Sequence, residues 1–313
     1  MKRRALLESL ELAVLYGGTS GERAVSLDSG RAVSAALRGG GYQPLLIDTA
    51  EPGWWKRLAE VDLAFNAQHG AGGEDGATQG LLDALGVVGT GSGVLGCALA
   101  MDKLRCKQLW SALGLPTPEF EVLDESTDAG ALLSAWGGAF IKPARGGSSL
   151  GMAPVRTASA CAAALERAAT FDRVVLAERL VDGPEYTVAI LGERTLPPIR
   201  IVAAGEFYDY AAKYQVDTTQ YHIPCGLDAG AQRTLCELAR RAFCALDCSI
   251  WGRVDFMRDA GGTFQILEVN TVPGMTGHSL VPMAARADGL DMLELVEEVL
   301  WLSWQRARGA GLW

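Results

Sequence analysis

The chain has 313 residues, 49% of them hydrophobic, which is enough for two or three domains with sizeable cores. Lys+Arg 28 against Asp+Glu 37 leaves a net charge of −9, which argues against a general nucleic-acid surface but not against an anionic small molecule held by a few buried cations. The basic start MKRR runs into an apolar stretch broken by Glu8 and Glu11, so neither a signal peptide nor a membrane span is expected, and the chain reads as cytoplasmic. Seven cysteines without a C-x-x-C pair read as reduced thiols, Cys244 and Cys248 among them as small hydrophobes at helical spacing. Three histidines make a histidine metal site improbable.

Leu12–Tyr16 is a short apolar strand, followed by the turn Gly17 to Arg23 and a helical pattern from about Ser26 to Arg38. Further strands are expected at Tyr42–Asp48 and Leu63–Asn66. Strand, helix, strand in this order predicts a doubly wound parallel sheet, whose ligands gather at the carboxyl ends of strands. Glu22, after the first strand, and His69 to Gly76, after the third, both fall there, as parts of a site or as plain tight turns. Gly91-Ser92-Gly93-Val94-Leu95-Gly96 matches G-x-G-x-x-G, but it lacks a proper preceding strand and a later acid, so it reads as a hinge into the next domain.

Cys97–Gly114 is expected to be one helix carrying Met101-Asp102-Lys103, and Ala129–Trp136 a second. Ala139–Ala144 is a strand containing Lys142, and it leads into Arg145-Gly146-Gly147-Ser148-Ser149-Leu150-Gly151. That loop can wrap a phosphate with backbone N–H groups, Lys142 adding charge; a plain glycine hairpin is the other reading. It is not a P-loop, because the lysine precedes the glycines and a strand follows.

Val174–Glu178 is a strand whose exit runs through Leu180 and Val181 to Glu185, an arrangement open to nucleoside clamping or to surface acids beside a turn. Strands follow at Glu185–Leu191 and Leu196–Val202. Residues 205–224 show no clear period and are rich in tyrosine, which points to a lid over substrate. Helices are expected at Ala229–Leu246, Met283–Ala287 and Met292–Arg306.

Between the first two of these helices, Val254, Phe256, Leu267 and Val269 alternate on two strands joined by Asp259 to Gly262. A four-residue loop places Asp255 opposite Ile266 and Arg253 opposite Glu268, so that Arg253, Asp255, Glu268 and Asn270 share one face. Two carboxylates and an amide suit Mg²⁺, and a solvated face with an Arg–Glu pair is the competing reading.

Taken together, the motifs Gly17-Gly-Thr-Ser-Gly-Glu-Arg23, His69-Gly-x-x-Gly-Glu-Asp-Gly76, Met101-Asp-Lys103, Ile141-Lys-Pro143, Gly147-Ser-Ser149, Tyr208-Asp-Tyr-x-Ala-Lys-Tyr214, Gly252-Arg-Val-Asp255 and Leu267-Glu-Val-Asn-Thr-x-Pro-Gly-Met-Thr-x-His-Ser-Leu280 resemble the D-alanine–D-alanine ligases of the ATP-grasp superfamily. The resemblance implies an α/β fold of ATP-grasp architecture: a Rossmann-like domain over 1–95, a central subdomain over 96–185, and a C-terminal catalytic subdomain over 186–313 with a lid at 205–224. It implies that ATP activates one D-alanine as an acyl phosphate and that a second D-alanine displaces phosphate.

By the same resemblance, Lys103, Lys142 and Lys213 serve the nucleotide phosphates and added charge, while Glu178, Leu180, Val181 and Glu185 hold adenine and ribose. Asp255, Glu268 and Asn270 are the implied ligands of Mg²⁺ or Mn²⁺, as two ions. Arg253 and the Gly274 N–H are implied oxyanion donors. Glu22 is implied to receive the first substrate's ammonium, with His69 in the substrate site and Ser148 and Tyr214 completing closure with Glu22. Ser279 and Leu280, at a helix start, are implied to take the second carboxylate. The Lys213-Tyr214 pair favours the dipeptide over D-alanyl-D-lactate; another acceptor, or nucleotide binding without catalysis, is the alternative. A homodimer is the family expectation, with neither nucleic acid nor membrane as partner. Gly21, Ala24 and Cys225 depart from the usual pattern without removing a catalytic group.

Overall fold

The computed structural model describes residues 2–124, 127–147, 151–202 and 219–309. The first sheet is all parallel and has the order β2-β1-β3-β4, formed by β1 (Leu12–Tyr16), β2 (Leu45–Asp48), β3 (Leu63–Asn66) and β4 (Val88–Gly89). Helix α2 (Arg23–Gly39) crosses from β1 to β2, and α3 (Ala77–Leu85) connects β3 to β4. Tyr42 to Pro44, expected to extend β2, lie outside it.

The second sheet is antiparallel, in the order β5-β8-β6-β7, with β5 (Phe120–Leu123), β6 (Ala139–Pro143), β7 (Ala153–Val155) and β8 (Val175–Arg179). Helices α6 (Ala129–Trp136) and α7 (Ala158–Ala169) bury Leu132, Leu133, Cys161 and Ala164 against it. The third sheet has the order β12-β11-β9-β13-β14 and centres on β9 (Glu185–Leu191) and β13 (Trp251–Arg258); β14 is Phe264–Asn270, β11 Ile199–Val202 and β12 Gln220–His222, and β10 (Arg194–Thr195) pairs with β9. Helix α8 (Ala229–Ala245) and α5 (Lys103–Ala112) cover one face, with Leu235, Phe243 and Trp110 fully or nearly buried. Trp110 donates its indole N–H to the Ala242 carbonyl at 3.1 Å, so its polar end is satisfied inside the core.

The last helices, α9 (Leu280–Ala287) and α10 (Met292–Gly309), return to the first sheet. Their Val281, Ala284, Leu295 and Val299 share one core with Leu12, Val14, Val33 and Phe65. The Gly91–Gly96 motif joins β4 to α4 (Val94–Met101), where a methyl added at Gly96 would lie 2.6 Å from the Asp247 carbonyl oxygen. This glycine serves close packing of α4 against the turn at Asp247 and Cys248 that leads into β13.

The helix expected over 97–114 is two helices. Asp102 adopts an extended backbone, breaks α4 from α5, and accepts the Arg105 N–H as the N-cap of the second. Cys244 is exposed, while Cys248, outside the helix, is buried like Cys97, Cys106, Cys161 and Cys225. Among the described residues, no helix is long and apolar enough to cross a membrane.

Candidate active site

The β13–β14 hairpin pairs Arg253 with Asn270, Val254 with Val269 and Asp255 with Glu268, and beyond a bulge Phe256 with Ile266 and Arg258 with Phe264. The turn is one residue longer than expected, and the bulge at Leu267 adds a second one-residue slip. Each slip alone would send the acids to the opposite face; two restore the parity. Arg253, Asp255, Glu268 and Asn270 therefore share a face as expected, while Ile266, fully buried, takes the core position expected of the half-buried Leu267.

On that face the Arg253 guanidinium grips Asp255, with Nε to Oδ1 and Nη2 to Oδ2 both at 2.8 Å, and Thr187 of β9 donates to Oδ1 at 2.6 Å. Asn270 Oδ1 accepts the Val272 N–H at 3.0 Å, which starts the turn toward Gly274. Glu268 Oε2 lies 3.6 Å from Lys103 Nζ. Lys103 is the first residue of α5; its own N–H donates to the Ala144 carbonyl at 2.8 Å and its ammonium to the Gly146 carbonyl at 2.7 Å. The break at Asp102 thus has a use, since it aims Lys103 between the glycine loop and the hairpin carboxylate.

Arg145 holds the base of that loop. Its Nε and Nη2 donate to the two Asp172 oxygens at 3.0 and 2.8 Å, and its backbone N–H also donates to Asp172 at 2.9 Å. Burial pushes the Asp172 carboxyl up, but Arg145 and the backbone donors outweigh it and leave its pKa below the ordinary value.

Lys142, on β6, lies 2.8 Å from Glu178 Oε1, and Lys107, one helical turn beyond Lys103, lies 3.1 Å from Oε2. The Lys142 contact is an ion pair off the hydrogen-bonding direction of that oxygen. Burial acts most strongly on both Glu178 and Lys107. It raises the Glu178 carboxyl, whose two lysine partners outweigh it to give a lowered pKa, and it pulls the Lys107 ammonium down to about 8 against the Glu178 charge. Leu180 donates its N–H to the Gly138 carbonyl at 3.1 Å. Val181 and Glu185 are half-buried beside it at the entry to β9.

Glu22, 8% exposed, caps the start of α2 with its backbone only. Its carboxylate lies between two loops: a methyl added at Gly147 would sit 2.6 Å from Oε2, and one at Gly70 would sit 2.7 Å from the same oxygen. Glycine at both positions admits the carboxylate. Next to it, His69 Nδ1 donates to the Val272 carbonyl at 2.8 Å, since a carbonyl can only accept. Its Nε2 is then left to accept from Ser29 Oγ at 2.9 Å, and Ser29 Oγ accepts the Met275 N–H at 3.1 Å. The loop after β3 and helix α2 are thereby bonded to both ends of the turn that carries Gly274.

Ser279 is the N-cap of α9, but its hydroxyl accepts the Thr276 N–H at 3.0 Å and makes no cap bond. With the cap turned away and Pro282 lacking an N–H, the Leu280 and Val281 N–H groups stand at the helix start with no side-chain cap. Ser148, Lys213 and Tyr214 lie outside the described residues.

The sequence reading missed Lys107, Ser29 and the Arg145–Asp172 pair. A signal for Lys107 was present: the chain has six lysines against 22 arginines, so a lysine four residues after Lys103 on one helix is a selective choice. Ser29 sits in an ordinary amphipathic pattern and gives no such sign.

A lysine from helix α5 reaching the glycine loop and a second on β6 leading into it, beside a parallel-sheet domain, fit the ATP-grasp class of nucleotide-dependent ligases, whose structures this chain superposes on. The family model described as "D-ala D-ala ligase C-terminus" matches residues 109–301. The chain belongs to the D-alanine–D-alanine ligase family. The D-alanine–D-alanine ligase of Ectopseudomonas mendocina (strain ymp) is 53% identical over 292 residues, covering 92% of this chain and 93% of its own. That of Alkalilimnicola ehrlichii (strain ATCC BAA-1101 / DSM 17681 / MLHE-1) is 52% identical over 299 residues, covering 95% and 96%. The crystal structure of the Bacillus anthracis D-alanine–D-alanine ligase complexed with ATP superposes with a TM-score of 0.85 at 30% identity, covering 97% of this chain and all of that one.

Proposed function

We propose that this chain joins two D-alanines in an ATP-dependent reaction, releasing ADP and phosphate, and so supplies a dipeptide for cell-wall precursors. The carrying observation is the position of Lys103, whose ammonium reaches the Gly146 carbonyl of the glycine loop and lies 3.6 Å from the hairpin acid Glu268. A triphosphate bound along the loop would lie against the hairpin, with Lys103 and Lys142 countering its charge. Leu180, Val181, Glu185 and the Glu178 region would take adenine and ribose.

Asp255, Glu268 and Asn270 fit a hard divalent cation. All three offer oxygen on one face; Asp255 accepts three hydrogen bonds out of about four lone-pair sites, and Asn270 Oδ1 accepts one of two. Mg²⁺ there would neutralise charge on the phosphates. Glu22 would receive the first D-alanine's ammonium, placing its carboxylate to attack the terminal phosphorus. The bond to the ADP oxygen breaks as the acyl–phosphate bond forms.

The second D-alanine would set its carboxylate on the Leu280 and Val281 N–H groups, directing its amine at the acyl carbon. The tetrahedral oxyanion would be met by the Gly274 N–H and by Arg253, which Asp255 holds through its Nε and Nη2. Collapse expels phosphate as the amine gives up its proton. Ser148, Lys213 and Tyr214 belong to this reading as residues that close the site. A cytoplasmic homodimer is part of it as well, as are the domain limits near residues 95 and 185.

The test is phosphate release by purified protein with ATP and Mg²⁺, with product identification. D-alanine should support release and yield the dipeptide. Release no greater than with L-alanine, or preference for D-lactate as acceptor, would overturn the reading.

A further inference from the structure

The two lysines on Glu178 are not equivalent. Lys107 is fully buried and its ammonium is satisfied within the protein: it contacts Glu178 Oε2 at 3.1 Å, donates to Thr117 Oγ1 at 2.7 Å, and approaches the Pro118 carbonyl at 3.4 Å. That uses all three of its donors. Lys142, with 8% of its side chain exposed, has Glu178 as its one ion-pair partner among the described residues. The cluster holds two ammonium groups and one carboxylate, so it carries one surplus positive charge. A surplus charge in a buried cluster is unfavourable until an anion completes it. Because Lys107 has no donor left, that anion must meet Lys142.

Without Lys107, Glu178 and Lys142 would form a balanced pair with little attraction for an anion. We propose that Lys107 is a positioning residue that neutralises Glu178 from the protein side and thereby leaves the charge of Lys142 to the phosphates of the nucleotide. The inference rests on the nucleotide reading of this site. Thr117 extends the device, since its hydroxyl also donates to the Ile266 carbonyl of β14 at 2.9 Å and so ties the Lys107 anchor to the hairpin that carries the acids. Lys103 and Lys107, one turn apart on α5, would thus serve the phosphates directly and indirectly.

The test compares ADP with adenosine, which shares the base and ribose but lacks phosphate, by displacement of a fluorescent adenine nucleotide. Wild-type protein should prefer ADP strongly; absence of that preference would refute the nucleotide reading itself. In Lys107→Met the ratio of ADP to adenosine affinity should fall by about tenfold, with adenosine affinity within about threefold of wild type. A merely structural role would weaken both ligands together, and that result, or an unchanged ratio, overturns the proposal. If Lys107→Met does not fold, Thr117→Val removes the anchoring hydroxyl while keeping the charge. It should lower the same ratio by about two- to threefold, and an unchanged ratio there would equally overturn the proposal.

Discussion

Asp255 and Glu268 stand directly opposite each other across the β13–β14 hairpin, the first gripped by Arg253 and Thr187 and the second 3.6 Å from Lys103. Opposed carboxylates repel unless cations stand between or beside them. Here an arginine and a lysine flank the pair from either side, and a divalent ion would complete the balance. Glu268→Gln keeps the shape and removes one charge. Turnover should fall by at least about 100-fold, the scale on which loss of a preorganised charge contact is felt. Magnesium titration of the activity checks this, and near-normal turnover at ordinary magnesium would remove Glu268 from the metal site.

Ser29 offers a different kind of test, because it touches no expected ligand. Its hydroxyl links His69 Nε2 to the Met275 N–H, next to the proposed oxyanion donor Gly274. Ser29→Ala leaves that buried N–H without its partner, at a cost of about 1–3 kcal/mol. The turn should loosen, and kcat should drop roughly tenfold through misplacement of the oxyanion site. KM for ATP should stay near its original value, since Ser29 contacts none of the residues proposed to hold the nucleotide. Steady-state kinetics with ATP and D-alanine varied separately distinguish these outcomes; a rise in KM for ATP with unchanged kcat would contradict the coupling.

The Arg145–Asp172 clamp sets the geometry where β6 enters the glycine loop. Asp172→Asn retains one acceptor oxygen and loses the charge that two guanidinium donors now share. Charge-assisted bonds of this kind contribute about 1.5–3 kcal/mol. Arg145 is half exposed and would be partly resolvated in the variant, so the expected rise in KM for ATP is about three- to tenfold. Measuring KM for ATP at saturating D-alanine reads the effect directly.

How much of this was legible in the chain depends on whether a residue announces itself locally. Leu63–Asn66, Ala129–Trp136 and Glu185–Leu191 carry clear periods and fold over those same bounds. Asp102 did not: helical residues run on both sides of it, and only the tertiary contacts of Lys103 with Ala144 and Gly146 reveal why the chain breaks there. The shared face of Arg253, Asp255, Glu268 and Asn270 was readable, because parity survives an even slip; the partner of each residue was not, since beside the Leu267 bulge Ile266 donates to the Pro116 carbonyl and accepts from Thr117, contacts distant in sequence. Motif residues such as Glu22 and Lys142 were visible from the pattern they belong to. Lys107 and Ser29 act through other side chains, and that relation exists only in three dimensions.

The acid dependence of stability gives a last test, at a site away from the chemistry but beneath the Glu22 loop. Arg23, one residue after Glu22, donates through Nη1 and Nη2 to both Asp48 oxygens, at 2.9 and 2.6 Å, and through Nη1 to the Gly18 carbonyl at 2.9 Å. The Arg23 bonds come first in holding the Asp48 carboxyl down to about 2, from an ordinary 3.8. A carboxyl depressed in the folded state stabilises the fold above its unfolded pKa and loses that contribution as pH falls through the folded one. The contribution of Asp48 is therefore fully present above about pH 4 and gone near pH 2. Asp48→Asn should unfold at lower denaturant than wild type at pH 7, and the gap between the two midpoints should close progressively between pH 4 and pH 2. Denaturant titrations of both proteins across that range check it, and a gap that stayed constant down to pH 2 would show that the Arg23 pair does not govern this titration.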